Sequence, residues 1–358
     1  MEGRISSRAK KQKEKPDKKP SKNLDKMLII VIALAVAVIL GGVVMFATGG
    51  KITGRLPDVT FSGGETSNLT GQLYSEELAA RPIIVSIDNV GDALPQSWLS
   101  KADIVYEFPV EGLQTRLNAI FYGQIPEYFG PVRSTRPYFV DLTREYKGIW
   151  IAHGWSPQAK EYLLSDVVPY INAMNSDCEF YRVNDKEAPH NSYIRWSEIK
   201  AEIDEQGWWD EKQKIKPFGF LSGAQQNQGD AASYIEFDYD YSEFEFKYDA
   251  DTSKYTRTID NGDEYIDKET EEDITCYNIL VQKVSSSVLD SKGRLSIDMC
   301  TGGEAVLFTN GCAVKGTWSR EDLDSRTIFV DGAGNKLKLT RGNTWVEVVD
   351  QNCTITYK

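Results

Sequence analysis

The chain has 358 residues, with 41 lysines and arginines against 53 aspartates and glutamates, and a net charge of −12. At about 150 residues per domain, this length favours two domains and an extension. Residues 1–26 carry a net charge of +6, so residues 27–358 carry −18. Because a phosphate backbone attracts basic surfaces, an acidic body argues against nucleic acid as a partner.

Residues 27–50 contain no charged side chain and directly follow the basic segment 1–26. About 20 apolar residues in a helix span a bilayer, and flanking basic residues stay in the cytoplasm. We therefore predict a cytoplasmic tail 1–26, a single-pass signal anchor 27–50 in the cell membrane, and an extracellular body. The alternative is a cleaved signal peptide, whose apolar region has about 7–15 residues.

Residues 51–80 are rich in glycine, serine and threonine and are predicted to form a stalk. The segment 81–223 then alternates between predicted strands and helices, which is typical of a mixed α/β domain. Apolar runs rich in β-branched residues predict strands at 83–87, 104–108, 117–122 and 148–152. Pro137 and Pro157 each mark a first helical turn, and a third helix is expected over 192–206.

Short alternating strands dominate 233–358, with tight-turn dipeptides such as Asn310-Gly311 and Asp331-Gly332 between them. This pattern predicts an antiparallel β-rich C-terminal domain, a sandwich or a partly open barrel. The predicted fold class is therefore α+β, with a transmembrane helix, a mixed α/β domain and then a β domain.

The five cysteines include no C-x-x-C pair, so the sequence supports neither a zinc site nor a lipid-modified cysteine beside the apolar run. Cys300 and Cys312 could close a short disulfide loop, or all five could be free thiols. Nucleophile-elbow, zinc-protease and P-loop signatures are missing from the sequence. We predict no metal and no cofactor.

Three loop-to-helix junctions carry the residues best suited to bind an anion. They are 130–137, 153–157 and 188–192, and the only two histidines of the chain lie in two of them. Free backbone N–H groups at a helix start favour an anion, and guanidinium forks suit carboxylate or phosphate. The predicted ligand-binding residues are Arg116, Arg133, Ser134, Arg136, His153, Ser156, Arg182, His190 and Asn191.

A simpler explanation is open for each of these residues. The arginines could pair with Glu107, Glu111 or Asp141, and the histidines could only stabilise a strand end or a helix start. If the three junctions converge, however, they create one cationic pocket in an acidic body. Its ligand would be an anionic cell-envelope polymer or the acidic loop of a protein partner.

An alternative function is a hydrolase or transferase that acts on cell-wall material. His153 or His190 would act as acid or base, oriented by Asp88 or Glu107, and the arginines would stabilise developing negative charge. A third possibility is an adaptor whose β domain docks another membrane protein, which an exposed apolar patch would favour.

Several of these segments resemble a known family. The motifs are 81–89, 95–97, 102–107, 115–117, 130–137, 153–159, 188–191, Gly311, 316–320, 331–332 and 342–345. They are similar to YerB-like proteins, envelope proteins of Gram-positive bacteria that are often lipoproteins and whose function is unknown. The resemblance covers roughly residues 81–350. It implies an extracellular location and a two-part layout, and it supplies no activity.

Overall fold

The structure is a computed structural model that describes residues 64–222, 229–239, 242–259 and 262–358. The predicted tail 1–26, the predicted signal anchor 27–50 and the first part of the predicted stalk lie outside the described residues. In the part of the chain that is described, no helix is both long and apolar enough to cross a membrane.

The first half of the described chain contains eleven strands and three helices. The strands are β1 Glu65–Thr66, β2 Leu73–Tyr74, β3 Ile83–Asp88, β4 Ile104–Val110, β5 Gln114–Phe121, β6 Tyr128–Phe129, β7 Ile149–Ala152, β8 Tyr170–Asn172, β9 Phe180–Arg182, β10 Ser192–Arg195 and β11 Gly219–Phe220. The helices are α1 Pro137–Tyr146, α2 Pro157–Leu164 and α3 Trp196–Gln206.

The second half contains only strands and turns among its described residues. The strands are β12 Asp230–Ala231, β13 Tyr234–Tyr239, β14 Ser242–Asp249, β15 Lys254–Arg257, β16 Thr275–Cys276, β17 Asn278–Val284, β18 Ser286–Val288, β19 Leu295–Ile297, β20 Gly302–Thr309, β21 Cys312–Ser319, β22 Ile328–Asp331, β23 Lys338–Leu339, β24 Thr344–Asp350 and β25 Thr354–Tyr357.

An eleven-stranded sheet runs through both halves. Its order is β12-β21-β20-β17-β24-β4-β5-β3-β7-β8, and β22 pairs with β21. Strand β24 lies at the centre, parallel to β17 on one side and to β4 on the other. The smaller sheets are β16-β15-β14-β13-β25, β6-β10-β9, β1-β2, β11-β23 and β18-β19.

The predicted fold class is wrong. Twenty-five strands and three helices of 8 to 11 residues make the described residues mostly β, and β24 is parallel to both of its neighbours. The physical reason is burial on both faces. Residues 344–349 of β24 are all buried, as are the six residues of β3, and such strands are stable only inside a sheet covered on both sides.

Two apolar layers cover this sheet. One layer packs the five-stranded sheet and α3 against one face, through residues such as Phe246 and Ile203. The other packs α1 and α2 against the opposite face, through Phe139 and Leu163. Residues 64–80, which the sequence placed in the stalk, carry the β1-β2 hairpin and bury Leu69 in this second layer.

The local predictions around the helices are largely confirmed. Helix α1 begins at Pro137 and α2 begins at Pro157. The predicted helix 192–206 begins four residues late, because 192–195 form strand β10, which pairs with both β6 and β9. Cross-strand hydrogen bonds therefore replace the expected first helical turn.

A buried ion pair joins the large sheet to the five-stranded sheet. Nη2 of Arg257, on β15, lies 3.0 Å from Oε2 of Glu107, on β4, and both side chains are almost fully buried. The guanidinium carbon lies 4.1, 4.8 and 5.2 Å from the ring centroids of Phe244, Tyr265 and Trp345. Contacts of this kind are cation–π interactions, so three aromatic rings and one carboxylate surround the charge.

We predict that Glu107→Gln strongly destabilises the protein, because it leaves the charge of Arg257 buried without a counter-ion. The free energy of unfolding, measured by denaturant titration, should fall by about 3–5 kcal/mol. The matched control is Glu179→Gln, which breaks an exposed pair with Arg195 and should cost less than about 1 kcal/mol. Equal effects of the two substitutions would contradict this role for the buried pair.

Candidate active site at the carboxyl edge of the parallel strands

The candidate site lies where three parallel strands end. Strands β3, β7 and β8 are parallel neighbours, so their carboxyl ends meet at one edge of the sheet, where ligands of α/β proteins commonly bind. Asp88 is the last residue of β3, and His153 follows the last residue of β7. The fold thus places an acid and an imidazole at the same edge.

The three predicted junctions meet there and are hydrogen-bonded to one another. The N–H of His153 donates to the carbonyl oxygen of Arg133 at 3.0 Å, and the N–H of Val132 donates to the carbonyl oxygen of Ser192 at 2.7 Å. Gly154 has a φ of +92°, and a Cβ there would lie 3.1 Å from Oγ of Ser134. A glycine is therefore required for the close approach of two of the loops.

Asp88 is the hub of the cluster. Its Oδ2 accepts a hydrogen bond from Nδ1 of His190 at 2.8 Å and lies 3.1 Å from Nε of Arg133. The carboxylate is 2% exposed, whereas the His190 and Arg133 side chains are 18% and 19% exposed. The side chain of Gln96 donates to the backbone oxygen of Asp88. The acid is thus buried, and its two partners reach the surface.

His153 is held in a different environment. A hydrogen bond of 2.6 Å joins its Nδ1 to Oγ of Ser192, and its ring meets the ring of Phe180 edge to face. Burial lowers the pKa of His153, and the nearby charges of Arg182 and Arg133 lower it further. The imidazole is therefore neutral at pH 7. Ser192 is itself 2% exposed, so it orients the imidazole from within.

Arg116 is buried beside the cluster, and its positive charge is only partly neutralised by nearby acids. It sits opposite Asp88 in the β3–β5 register, and its side chain donates from Nη1 to the carbonyl oxygen of Ser134 at 2.9 Å. The residue is 5% exposed, and its Nε has no hydrogen-bond partner among the described residues. Burial and repulsion by Arg136 and Arg133 lower the pKa of Arg116 to about 9. A nearby anion would relieve this repulsion.

Arg182 stands at the exposed rim of the cluster. Its Nη1 donates to Oδ1 of Asn191 at 2.6 Å, and the amide of Asn191 donates to the carbonyl oxygens of Val183 and Lys186. Asn191 is buried while Arg182 is exposed. Asn191 therefore holds the guanidinium group of Arg182 in place, although that side chain is exposed to solvent.

Three of the predicted site residues are engaged elsewhere. Arg136 donates from Nε to Oε2 of Glu111 at 2.9 Å, so the simpler explanation by pairing holds for this arginine. Ser156 caps α2 by accepting from the N–H of Ala159. The carboxylate of Glu107, a candidate orienting acid for a histidine, binds Arg257 on β15 instead.

A separate groove of about 830 Å³ lies away from this cluster. Its wall includes Tyr74, Trp196, Trp209, Lys200 and Lys212, none of which belongs to the Asp88 cluster. The two tryptophan rings pack 5.5 Å apart, and the Lys200 amine lies 5.8 Å from the Trp209 ring. The two rings therefore pack against each other, and the Trp209 ring also lies beside Lys200 of α3.

Comparison with known proteins identifies the family. The description "Protein of unknown function (DUF3048) N-terminal domain" matches residues 69–209, and the corresponding C-terminal domain matches residues 234–346. Together they cover more than half of the chain. The chain belongs to this YerB-like family.

One relative supports the assignment in both sequence and structure. The Bacillus subtilis (strain 168) protein named "Putative lipoprotein YerB" is 35% identical over 287 residues, which is 78% of this chain and 85% of that protein. The crystal structure of YerB from Bacillus subtilis matches with a TM-score of 0.72 at 33% identity. It covers 82% of this chain and 99% of the crystallised one. The family resemblance seen in the sequence is therefore confirmed.

Sequence reasoning missed two parts of the cluster. Ser192 was assigned to the start of a helix, although it orients His153. Lys186, whose Nζ donates to the carbonyl oxygen of Leu94, is not among the predicted site residues. Burial and the charge of Lys268 lower the pKa of Lys186, and the opposing charges of Asp185 and Asp88 offset this only in part. The position of Ser192 two residues after His190 was the one available signal.

We predict that His153 titrates below the ordinary histidine pKa of about 6.5, because burial and the two guanidinium groups disfavour its charged form. Proton NMR of the imidazole signals across pH 4–8 measures the midpoint, and His190→Asn assigns the two histidines. Arg182→Gln should raise the His153 pKa by removing one positive charge. A midpoint at or above 6.5 in the wild type would contradict the described environment.

Proposed function

We propose that this protein is a membrane-anchored envelope protein that binds an anionic group of a cell-envelope polymer at the Asp88 cluster. Arg133 and Arg182 would contact the anion, and Arg116 would attract it from behind. The supporting observation is the surplus of positive charge around Arg116, in a chain whose residues 27–358 carry a net charge of −18.

The charges at the cluster can be compared directly. Asp88 and Glu111 are the acids nearest to the guanidinium groups of Arg116, Arg133 and Arg136. Three positive charges therefore face two negative ones, before Arg182 at the rim is considered. Arginine pairs well with carboxylate or phosphate because its donors form a planar fork. The local surplus favours an anion in spite of the acidic surroundings.

The proposed location rests on two lines of support. The sequence of residues 27–50 predicts a signal anchor with the N-terminus in the cytoplasm. The relative in Bacillus subtilis is named as a lipoprotein, and lipoproteins are attached to membranes. An extracellular body would bring the Asp88 cluster within reach of wall polymers.

We predict that Arg182→Ala weakens the binding of poly(glycerol phosphate) to the full-length protein about 10-fold or more, because one charge-assisted hydrogen bond is lost. Arg133→Ala should have a larger effect, since this guanidinium lies deeper in the cluster. Isothermal titration calorimetry at low salt measures both, and added salt should weaken the wild-type interaction.

The matched control is Arg195→Ala, which removes an exposed arginine from β10 outside the cluster. It should bind like the wild type. Circular dichroism and thermal unfolding check that each variant is folded. Unchanged binding by the folded Arg133→Ala, Arg182→Ala double variant would refute the proposed site. Binding of an acidic protein with no binding of polymer would replace the proposed ligand by a protein partner.

A further inference from the structure

Both histidines of the cluster are hydrogen-bonded through the same ring nitrogen. Nδ1 of His153 is engaged by Ser192, and Nδ1 of His190 is engaged by Asp88. Neither Nε2 has a hydrogen-bond partner within the described ranges. A histidine fixed through one nitrogen is oriented to transfer a proton through the other. The structure therefore holds two oriented imidazoles with a free Nε2 on each.

Arg133 is connected to both histidines. Its carbonyl oxygen accepts from the N–H of His153, and its Nε contacts the carboxylate that also binds His190. His190 and Ser192, the partner of His153, are two residues apart in the chain. Arg133 is thus hydrogen-bonded through its backbone to His153 and is linked to His190 through the carboxylate of Asp88. An anion bound by Arg133 would lie close to both rings.

The environments of the two histidines suit opposite proton-transfer roles. His153 faces a hydroxyl group and two guanidinium groups, so it is kept neutral and can accept a proton. His190 donates from Nδ1 to a buried carboxylate, so its ring is oriented by an anion, and we assign it the role of proton donor. Two titratable groups in contrasting environments are the usual arrangement of a general base and a general acid.

The surrounding charges favour phosphorus chemistry over acyl transfer. Guanidinium groups stabilise the charge that spreads over the non-bridging oxygens of a phosphoryl group. Acyl transfer by a serine would need an accessible nucleophile, but Ser192 is buried and the hydroxyl of Ser134 donates to the carbonyl oxygen of His153. A water molecule between the substrate and His153 is the simpler nucleophile.

We propose that the Asp88 cluster hydrolyses phosphodiesters, with His153 as general base and His190 as general acid. This inference rests on the proposed function, since the anion bound there is the diester phosphate. The oxygen of water forms a bond to phosphorus while one ester P–O bond breaks. Nε2 of His153 takes the proton of the water, and Nε2 of His190 gives a proton to the leaving alkoxide.

The products are a phosphate monoester and an alcohol, and exchange with solvent restores both imidazoles. Asp88 is a positioning residue in this scheme because it contacts His190 and Arg133, which would contact the substrate. Arg133 and Arg182 hold the non-bridging oxygens. Polymers joined by phosphodiester linkages are the substrate class that this chemistry fits.

The test uses full-length protein with two probes, bis(p-nitrophenyl) phosphate and poly(glycerol phosphate). Release of p-nitrophenol and mass spectrometry of the polymer report cleavage. We expect turnover with a bell-shaped dependence of kcat/KM on pH. His153→Asn and His190→Asn should each lower kcat at least about 100-fold. Each should still bind inorganic phosphate, because Arg133 and Arg182 are retained.

Asp88→Asn separates positioning from a purely structural role, since it should lower kcat and shift the alkaline limb of the pH profile, which reports the general acid His190. The control is Lys200→Gln, a substitution in an exposed pair on α3, which should leave turnover unchanged.

Phosphate binding by wild type without cleavage of either probe across pH 5–9 would overturn the catalytic inference and leave the binding proposal standing. Absence of both binding and cleavage would refute both. Cleavage that persists in the two histidine variants would also overturn the assignment.

Discussion

The buried ion pair between Glu107 and Arg257 is the interaction on which the arrangement of the two halves depends. Two opposite charges without water are tolerated only when each has several partners. Glu107 receives hydrogen bonds from Thr115, Asn89 and Trp345 in addition to Arg257. These partners come from strands and loops of both halves. Apolar packing tolerates small shifts between the two sheets, whereas these directional hydrogen bonds and the buried ion pair do not.

The same network reaches the candidate site through one residue. Asn89 donates to Glu107, and its Oδ1 accepts from Gln96 and from Tyr265. Asn89 directly follows Asp88, so the backbone at the end of β3 is held from the C-terminal half of the chain. The acid that organises His190 and Arg133 is therefore positioned by groups far away in sequence. The residue that follows Asp88 is thus hydrogen-bonded to Tyr265 of the C-terminal half.

The charges of the cluster belong to a graded series from core to surface. Arg116 is buried and incompletely neutralised, Arg133 shares the carboxylate of Asp88 with His190, and Arg182 is exposed at the rim. In the proposed function, such a gradient would draw an anion inward while the acidic surface repels it. The two histidines lie along this gradient with different neighbours. The proposed binding and the proposed proton transfer use the same small set of groups.

The sequence by itself determined the local elements: the buried strand at 83–87, the helices that begin at Pro137 and Pro157, and the rare histidines and arginines at three junctions. Periodicity and capping residues act over a few positions, so they are readable along the chain. Only the tertiary structure decided the central place of β24 and the partner of each charge. Asp88 and His190 are 102 positions apart, and Glu107 and Arg257 are 150 apart. Such pairs form because a buried charge needs a counter-ion, and the tertiary fold decides which one is near. Local sequence patterns extend over only a few positions and therefore cannot predict these partners.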